Sequence, residues 1–93
     1  MKQYHEPKYQ NLMSKEEEDR IRRNIALNMD NWMIDHNMSQ TYFSTLIGAT
    51  PTAVNNWITC HRMPTVFTLI LITQVMGCTL DDLIKEPKYV DNL

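Results

Sequence analysis

The chain has 93 residues, 43% of them hydrophobic and 22% charged; that suffices for one small domain, is too little for two, and is too apolar for wholesale disorder. Nine Lys and Arg against eleven Asp and Glu leave a formal charge of −2, which on the sum alone disfavours a partner held by bulk positive charge, such as DNA or an anionic membrane. Cys60 and Cys78 lack CxxC spacing, which excludes a disulfide framework and fits free thiols in a reducing compartment.

Residues 1–13 are polar, carry Pro7 and show no period, so they read as a flexible N-terminal arm. The start (Lys2, Gln3, Tyr4, His5) has no apolar stretch, and no secretory signal is expected. Ser14 followed by Glu17 reads as a capping box opening a helix from Lys15 to about His36. Glu16 to Asp19 suit that start through the helix dipole. Ile21, Ile25, Met29, Trp32, Met33 and His36 step by threes and fours and predict one inward stripe, with His36 partly buried and satisfied. Asn37 can end the helix in a left-handed conformation.

Ser39 is the next N-cap, for a short helix from Gln40 to Ile47 with Phe43, Leu46 and Ile47 inward; Gly48 supplies the turn. Thr50 caps a third helix with Pro51 in its first position and Val54, Trp57 and Ile58 inward. Pro64 and Thr65 start a fourth, running to Met76 and stopped by Gly77. Its apolar run from Val66 is broken by Thr68, Thr73 and Gln74, far short of the roughly 20 residues of a membrane span. Thr79 caps a last helix holding Leu80, Leu83 and Ile84, which Pro87 prevents from extending. No strand pattern occurs. The prediction is a compact all-α domain of five helices over residues 14–86, followed by a tail at 87–93. Glu6-Pro7-Lys8-Tyr9 recurs as Glu86-Pro87-Lys88-Tyr89, and coincidence is the default reading of two copies.

The charges are unevenly placed. Between His36 and Leu80 there is no Asp or Glu, and Arg62 is the only fixed charge. The acids lie at Glu6, Glu16 to Asp19, Asp30, Asp35, Asp81, Asp82, Glu86 and Asp91. The middle of the chain is therefore mildly positive, which the overall sum conceals.

That middle carries the informative segment, Met38 to Pro64: a short helix, a Gly-centred turn and a second short helix, with small Ser44 where two helices must cross closely. It resembles the helix-turn-helix of the Cro/repressor (XRE-like) family of DNA-binding proteins. The resemblance continues through Pro64-Thr65-Val66 to Met76-Gly77-Cys78-Thr79-Leu80-Asp81-Asp82-Leu83 and covers Asn24 to Ile84. It implies a lambda-repressor-like domain whose third helix enters the major groove. Thr52, Asn55 and Asn56 are then the base-contact candidates, because Asn can pair with adenine N6 and N7 and Thr can meet a thymine methyl. Ser39 and Gln40, at a helix start with free N–H groups, and Thr59, His61 and Arg62 are the phosphate-contact candidates.

Three departures from the family pattern stand out. An Arg of helix one that often pairs with a Glu after the Trp57 position is matched here by Met33 and Ile58. Such an exchange of ion pair for hydrocarbon is well tolerated, and the two side chains are expected to touch. Cys60 stands where the family usually has Gly, so a positive φ there would carry strain. Phe67 and Leu71, one helical turn apart, replace polar residues and are the candidate dimer interface; the alternative is that the arm or the tail folds over them.

The resemblance thus implies a small sequence-specific regulator, a repressor acting by occupying an operator in double-stranded DNA, homodimeric and cytoplasmic. Cations from the arm (Lys2, Lys8) and helix one (Arg20, Arg22, Arg23) would supplement Arg62, and with few cations a modest affinity and a shallow salt dependence are expected. The alternative is the same scaffold used for protein interaction, as a partner-binding module or an antitoxin. With no carboxylate pair, nucleophile–base spacing or phosphate loop in the acid-free centre, no enzyme is expected. Nor is a cofactor, a small-molecule ligand or a metal, Cys60 and His61 having no further ligands at zinc spacing.

Overall fold

The computed structural model describes residues 13–87. Most of the expected arm and tail, and with them Glu6 to Tyr9, Lys88 and Tyr89 of the tetrapeptide echo, lie outside the described residues. Five helices follow in order: α1 (Lys15–Asp35), α2 (Gln40–Ile47), α3 (Pro51–Ile58), α4 (Val66–Met76) and α5 (Leu80–Ile84). No strand occurs among the described residues, nor is any of their helices long and apolar enough to cross a membrane.

A hydroxyl opens every helix. Ser14, Ser39, Thr50, Thr65 and Thr79 each accept a hydrogen bond from the backbone N–H three residues on, a contribution of about 1 kcal/mol per cap. Thr65 is thus the cap of α4 rather than part of its first turn, and buried Pro64 lies ahead of it. Only half of the expected box forms at Ser14, because Glu17 turns its carboxylate to Arg20 at 3.4 Å. The reciprocal box is at Thr79, whose N–H donates to Asp82 Oδ2 while its hydroxyl accepts from the Asp82 N–H, both at 3.1 Å. Asn37 at φ 53° and the left-handed glycines Gly48 and Gly77 end α1, α2 and α4.

The core draws Ile25, Met29 and Met33 from α1, Phe43 and Ile47 from α2, Val54 and Trp57 from α3, Ile72 from α4 and Leu83 from α5. Helix α1 lies against α3 and α5, α2 against α3 and α4, and α4 against α5. Met33 is buried in this cluster and half-buried Ile58 lies against it, so the two positions of the missing ion pair both serve the apolar core. Two inward assignments are corrected. Leu46 is 42% exposed: Phe43 and Ile47, four apart, fix the inward line of α2, and Leu46 falls one step beside it. His36 is exposed as well, because α1 ends at Asp35. Its ring stacks on Trp32 with centroids 4.0 Å apart, and its Nδ1 lies 2.9 Å from the Trp32 carbonyl.

Asn24 and Asn28, one turn apart on α1, attach the five-residue α5, which is too short to persist alone. Asn24 donates to the Ile84 carbonyl at 3.0 Å, and Asn28 to those of Leu83 and Lys85 at 2.8 and 2.9 Å. The cap adds a charge. The hydrogen bond from the Thr79 backbone, then those from the Lys85 and Thr79 side chains, hold the Asp82 carboxyl below its ordinary value. A carboxyl depressed in the folded state stabilises the fold above its unfolded value of about 3.9 and loses that contribution as pH falls through the folded value. Asp82→Asn is therefore expected to melt below the wild type at neutral pH, the gap closing in strong acid; parallel thermal melts across pH check this.

Candidate nucleic-acid interface

Helix α3 is set by its two ends. Thr50 caps the Ala53 N–H at 3.0 Å, the Val54 N–H bonds to the Thr50 carbonyl at 3.1 Å, and Pro51 has no N–H. Thr52 is thus the only residue of the first turn whose N–H is left without a partner among the described residues. Val54 is fully buried and Trp57 nearly so. At about 100° per residue, Thr52 and Asn56 lie on the side opposite Val54, with Asn55 on the flank. Thr52 and Asn55 are exposed and Asn56 is half-buried. The three base-contact candidates therefore share one outward face of neutral hydrogen-bonding groups. Of the three, Asn55 stands furthest from the centre line.

Helix α2 packs against α3. The Ser39 hydroxyl is spent on the Tyr42 N–H at 3.0 Å and its carbonyl on the Phe43 N–H at 2.9 Å. The Gln40 and Thr41 N–H groups are the ones left for an anion, reinforced by the helix dipole. Ser39 thus orients the helix start as the acceptor of the cap, and its hydroxyl proton stays available to an anion. Tyr42, 56% exposed in the first turn of α2, is an outward aromatic that the sequence reading passed over; its place between Ser39 and buried Phe43 was the available signal. Ser44 is buried, and its hydroxyl donates to the Thr41 carbonyl at 2.6 Å.

The loop after α3 folds back on the helix. The His61 and Arg62 N–H groups both bond to the Asn56 carbonyl, at 2.8 and 3.2 Å, and the Thr59 hydroxyl donates to the Asn55 carbonyl at 2.7 Å. A hydroxyl has one proton, so the 2.8 Å contact between Thr59 Oγ1 and His61 Nδ1 is donated by the ring. Thr59 can then only accept, and it fixes the His61 ring at the end of the loop. Arg62 is exposed and in no ion pair among the described residues. Cys60 Sγ lies 3.9 Å from the Arg22 carbonyl, which brings the second turn of α1, and Arg22 with it, beside this loop. Arg20 is paired with Glu17, and Lys2 and Lys8 lie outside the described residues.

Cys60 has φ 65°, the left-handed region that a Cβ disfavours by about 1–2 kcal/mol. The strain expected where the family places glycine is therefore present. Cys60→Gly is expected to exceed Cys60→Ala in stability by about 1 kcal/mol, because both lose the sulfur and only Ala keeps the Cβ; urea unfolding of the pair measures it.

The electrostatic surroundings match the sequence pattern. The acids of the described residues lie on α1 and on α5 and the segment after it, and none lies on α2, α3, α4 or the turns between them. The motif thus exposes neutral donors and acceptors on α3, unpartnered N–H groups at the start of α2 and the unpaired cation of Arg62, with no acid among them.

The family model described as helix-turn-helix matches residues 31–83. Among solved structures, the chain is similar to the P22 c2 repressor protein in complex with a synthetic operator, at a TM-score of 0.63 and 16% identity over 68% of this chain and 96% of that one. It is also similar to an SOS-response transcriptional repressor, LexA from Eubacterium rectale, at a TM-score of 0.69 and 17% identity over 80% of both chains. No curated protein sequence matches it.

Proposed function

The chain belongs to the Cro/repressor-type (XRE-like) helix-turn-helix family of non-enzymatic, DNA-binding transcription regulators, and on that premise we propose that it represses transcription by occupying a two-fold operator as a homodimer. The observation that carries this reading is the outward face of α3, where Thr52, Asn55 and Asn56 project away from Val54 and Trp57 in an acid-free motif with α2 packed against it. Asn56 and Thr52 are the base readers, with Asn55 at the edge of the reading face. The N–H groups of Gln40 and Thr41, the Ser39 hydroxyl, and His61 and Arg62 of the loop that Thr59 fixes take the phosphates. Domain 14–86 is the whole reading unit. Among the structures it resembles, P22 c2 is described on an operator, which agrees with this assignment.

Selection of bound sequences from random DNA tests it. The expected product is a pair of half-sites about one helical turn, or roughly 34 Å, apart. Arg62→Ala is expected to weaken operator and random DNA alike. It should also reduce the salt slope by about 0.9 per protomer, since the slope of log K against log salt changes by that much per phosphate neutralised; titration against salt checks both. Absence of binding even at low salt, with Asn56→Ala silent, would assign the fold to protein interaction instead.

A further inference from the structure

Helix α4 is uncharged throughout and leaves four large apolar side chains exposed on one side, the kind of surface that marks an interaction site. Val66 is 68% exposed, Phe67 79%, Ile70 49% and Leu71 42%. Beside them is an apolar cavity of about 120 Å³, walled by Val66, Leu69, Ile70 and Thr73 of α4 and by Leu80 of α5. At about 100° per residue the face has an order. Phe67 and Leu71 form one flank, Val66 and Ile70 the middle, and Leu69 and Thr73 the cavity flank. A two-fold axis running along α4 exchanges the flanks at equal height, so the Phe67 side of one copy meets the cavity of the other.

We propose that two copies of this chain associate through α4 by inserting Phe67 of each into the Val66–Leu69–Ile70–Thr73–Leu80 cavity of its mate. A cavity of about 150 Å³ lined by aliphatic side chains admits a whole benzene ring, and the 120 Å³ here takes the leading edge of a phenyl group. The chemistry agrees as well, since a face without charge is best covered by one equally free of it, and an isologous contact supplies one by construction. Buried at the centre of the contact, an aromatic in a pocket is the residue type that dominates association. This deepens the dimeric reading of the proposed function and rests on it for its purpose, whereas the contact itself forms without DNA.

Sedimentation equilibrium of the full chain, without DNA, tests the contact. The wild type is expected to be dimeric. Phe67→Ala, which removes the knob, and Leu80→Trp, which fills the hole, should each weaken dimerisation about tenfold or more. Both positions are exposed, and unchanged circular dichroism verifies that each variant folds. The decisive arm is the equimolar mixture, in which Phe67 of the Leu80→Trp copy meets the open cavity of the Phe67→Ala copy and a heterodimer should return. A monomeric wild type, a Phe67→Ala chain as dimeric as wild type, or a mixture that stays monomeric would overturn the proposal. Operator binding measured alongside keeps the two readings apart. A dimer that ignores DNA upholds the contact and rejects the regulator, and a DNA-binding monomer does the reverse.

Discussion

Asn56→Ala is expected to weaken binding to a selected operator about 10- to 100-fold while leaving affinity for random DNA unchanged. A bidentate amide–adenine pair is worth about 1–3 kcal/mol of discrimination, whereas non-specific binding draws on phosphate contacts that this substitution does not touch. The fold should be indifferent to it. The Asn56 backbone carbonyl holds the His61 and Arg62 N–H groups, and the substitution keeps that carbonyl. Alanine is also the better helix former. Competition assays with operator and random duplexes, each at fixed salt, read the two affinities. Equal losses on both duplexes would reassign Asn56 from bases to backbone, and no loss on either would remove α3 from the groove.

The second large effect is on stability. Phe43 is fully buried at the centre of α2, edge-on to Trp32 with ring centroids 6.0 Å apart, and it joins the apolar faces of α1 and α2. Phe43→Ala removes that bridge and leaves a cavity, at about 3–5 kcal/mol. A domain of this size has about 5–15 kcal/mol in total and sits toward the low end. The variant should unfold at a much lower urea concentration, and DNA binding should fail with it. Leu46→Ala, three residues away on the exposed side, should change stability by no more than about 0.5 kcal/mol. A comparable loss for both would mean that α2 is inserted with another face inward.

The contrast between those two residues shows what the sequence disclosed. Caps were legible because they are local: Ser14, Ser39, Thr50, Thr65 and Thr79 each lie three residues before the N–H they bind. The inward lines of α1 and α3 were legible from spacing. Leu46 was not, because α2 has three large apolar residues at 43, 46 and 47 and its neighbours choose between two possible stripes. Nor was the clamp of Asn24 and Asn28 on α5, since an amide four residues from another looks like solvated helix surface until the carbonyls it binds, more than fifty positions away, are in place. The face proposed to read DNA was picked out by its resemblance to a known motif. Which of its donors were already committed was not, and the fixed proton of Thr59 shows why: that depends on a loop closing back onto the helix it follows.

The amides of Asn24 and Asn28 bear on how the protein responds to its medium. They join the first helix to the last without ionisable groups. The three ion pairs between described residues, Lys15–Asp19, Arg20–Glu17 and Lys85–Asp82, are exposed contacts between residues three or four apart, of a kind worth little to stability. Ions that strip a phosphate-bound protein from its duplex therefore find almost nothing in the scaffold to screen. Ionic strength should act on this molecule as a nearly orthogonal control, loosening the proposed grip on DNA while the fold stays intact.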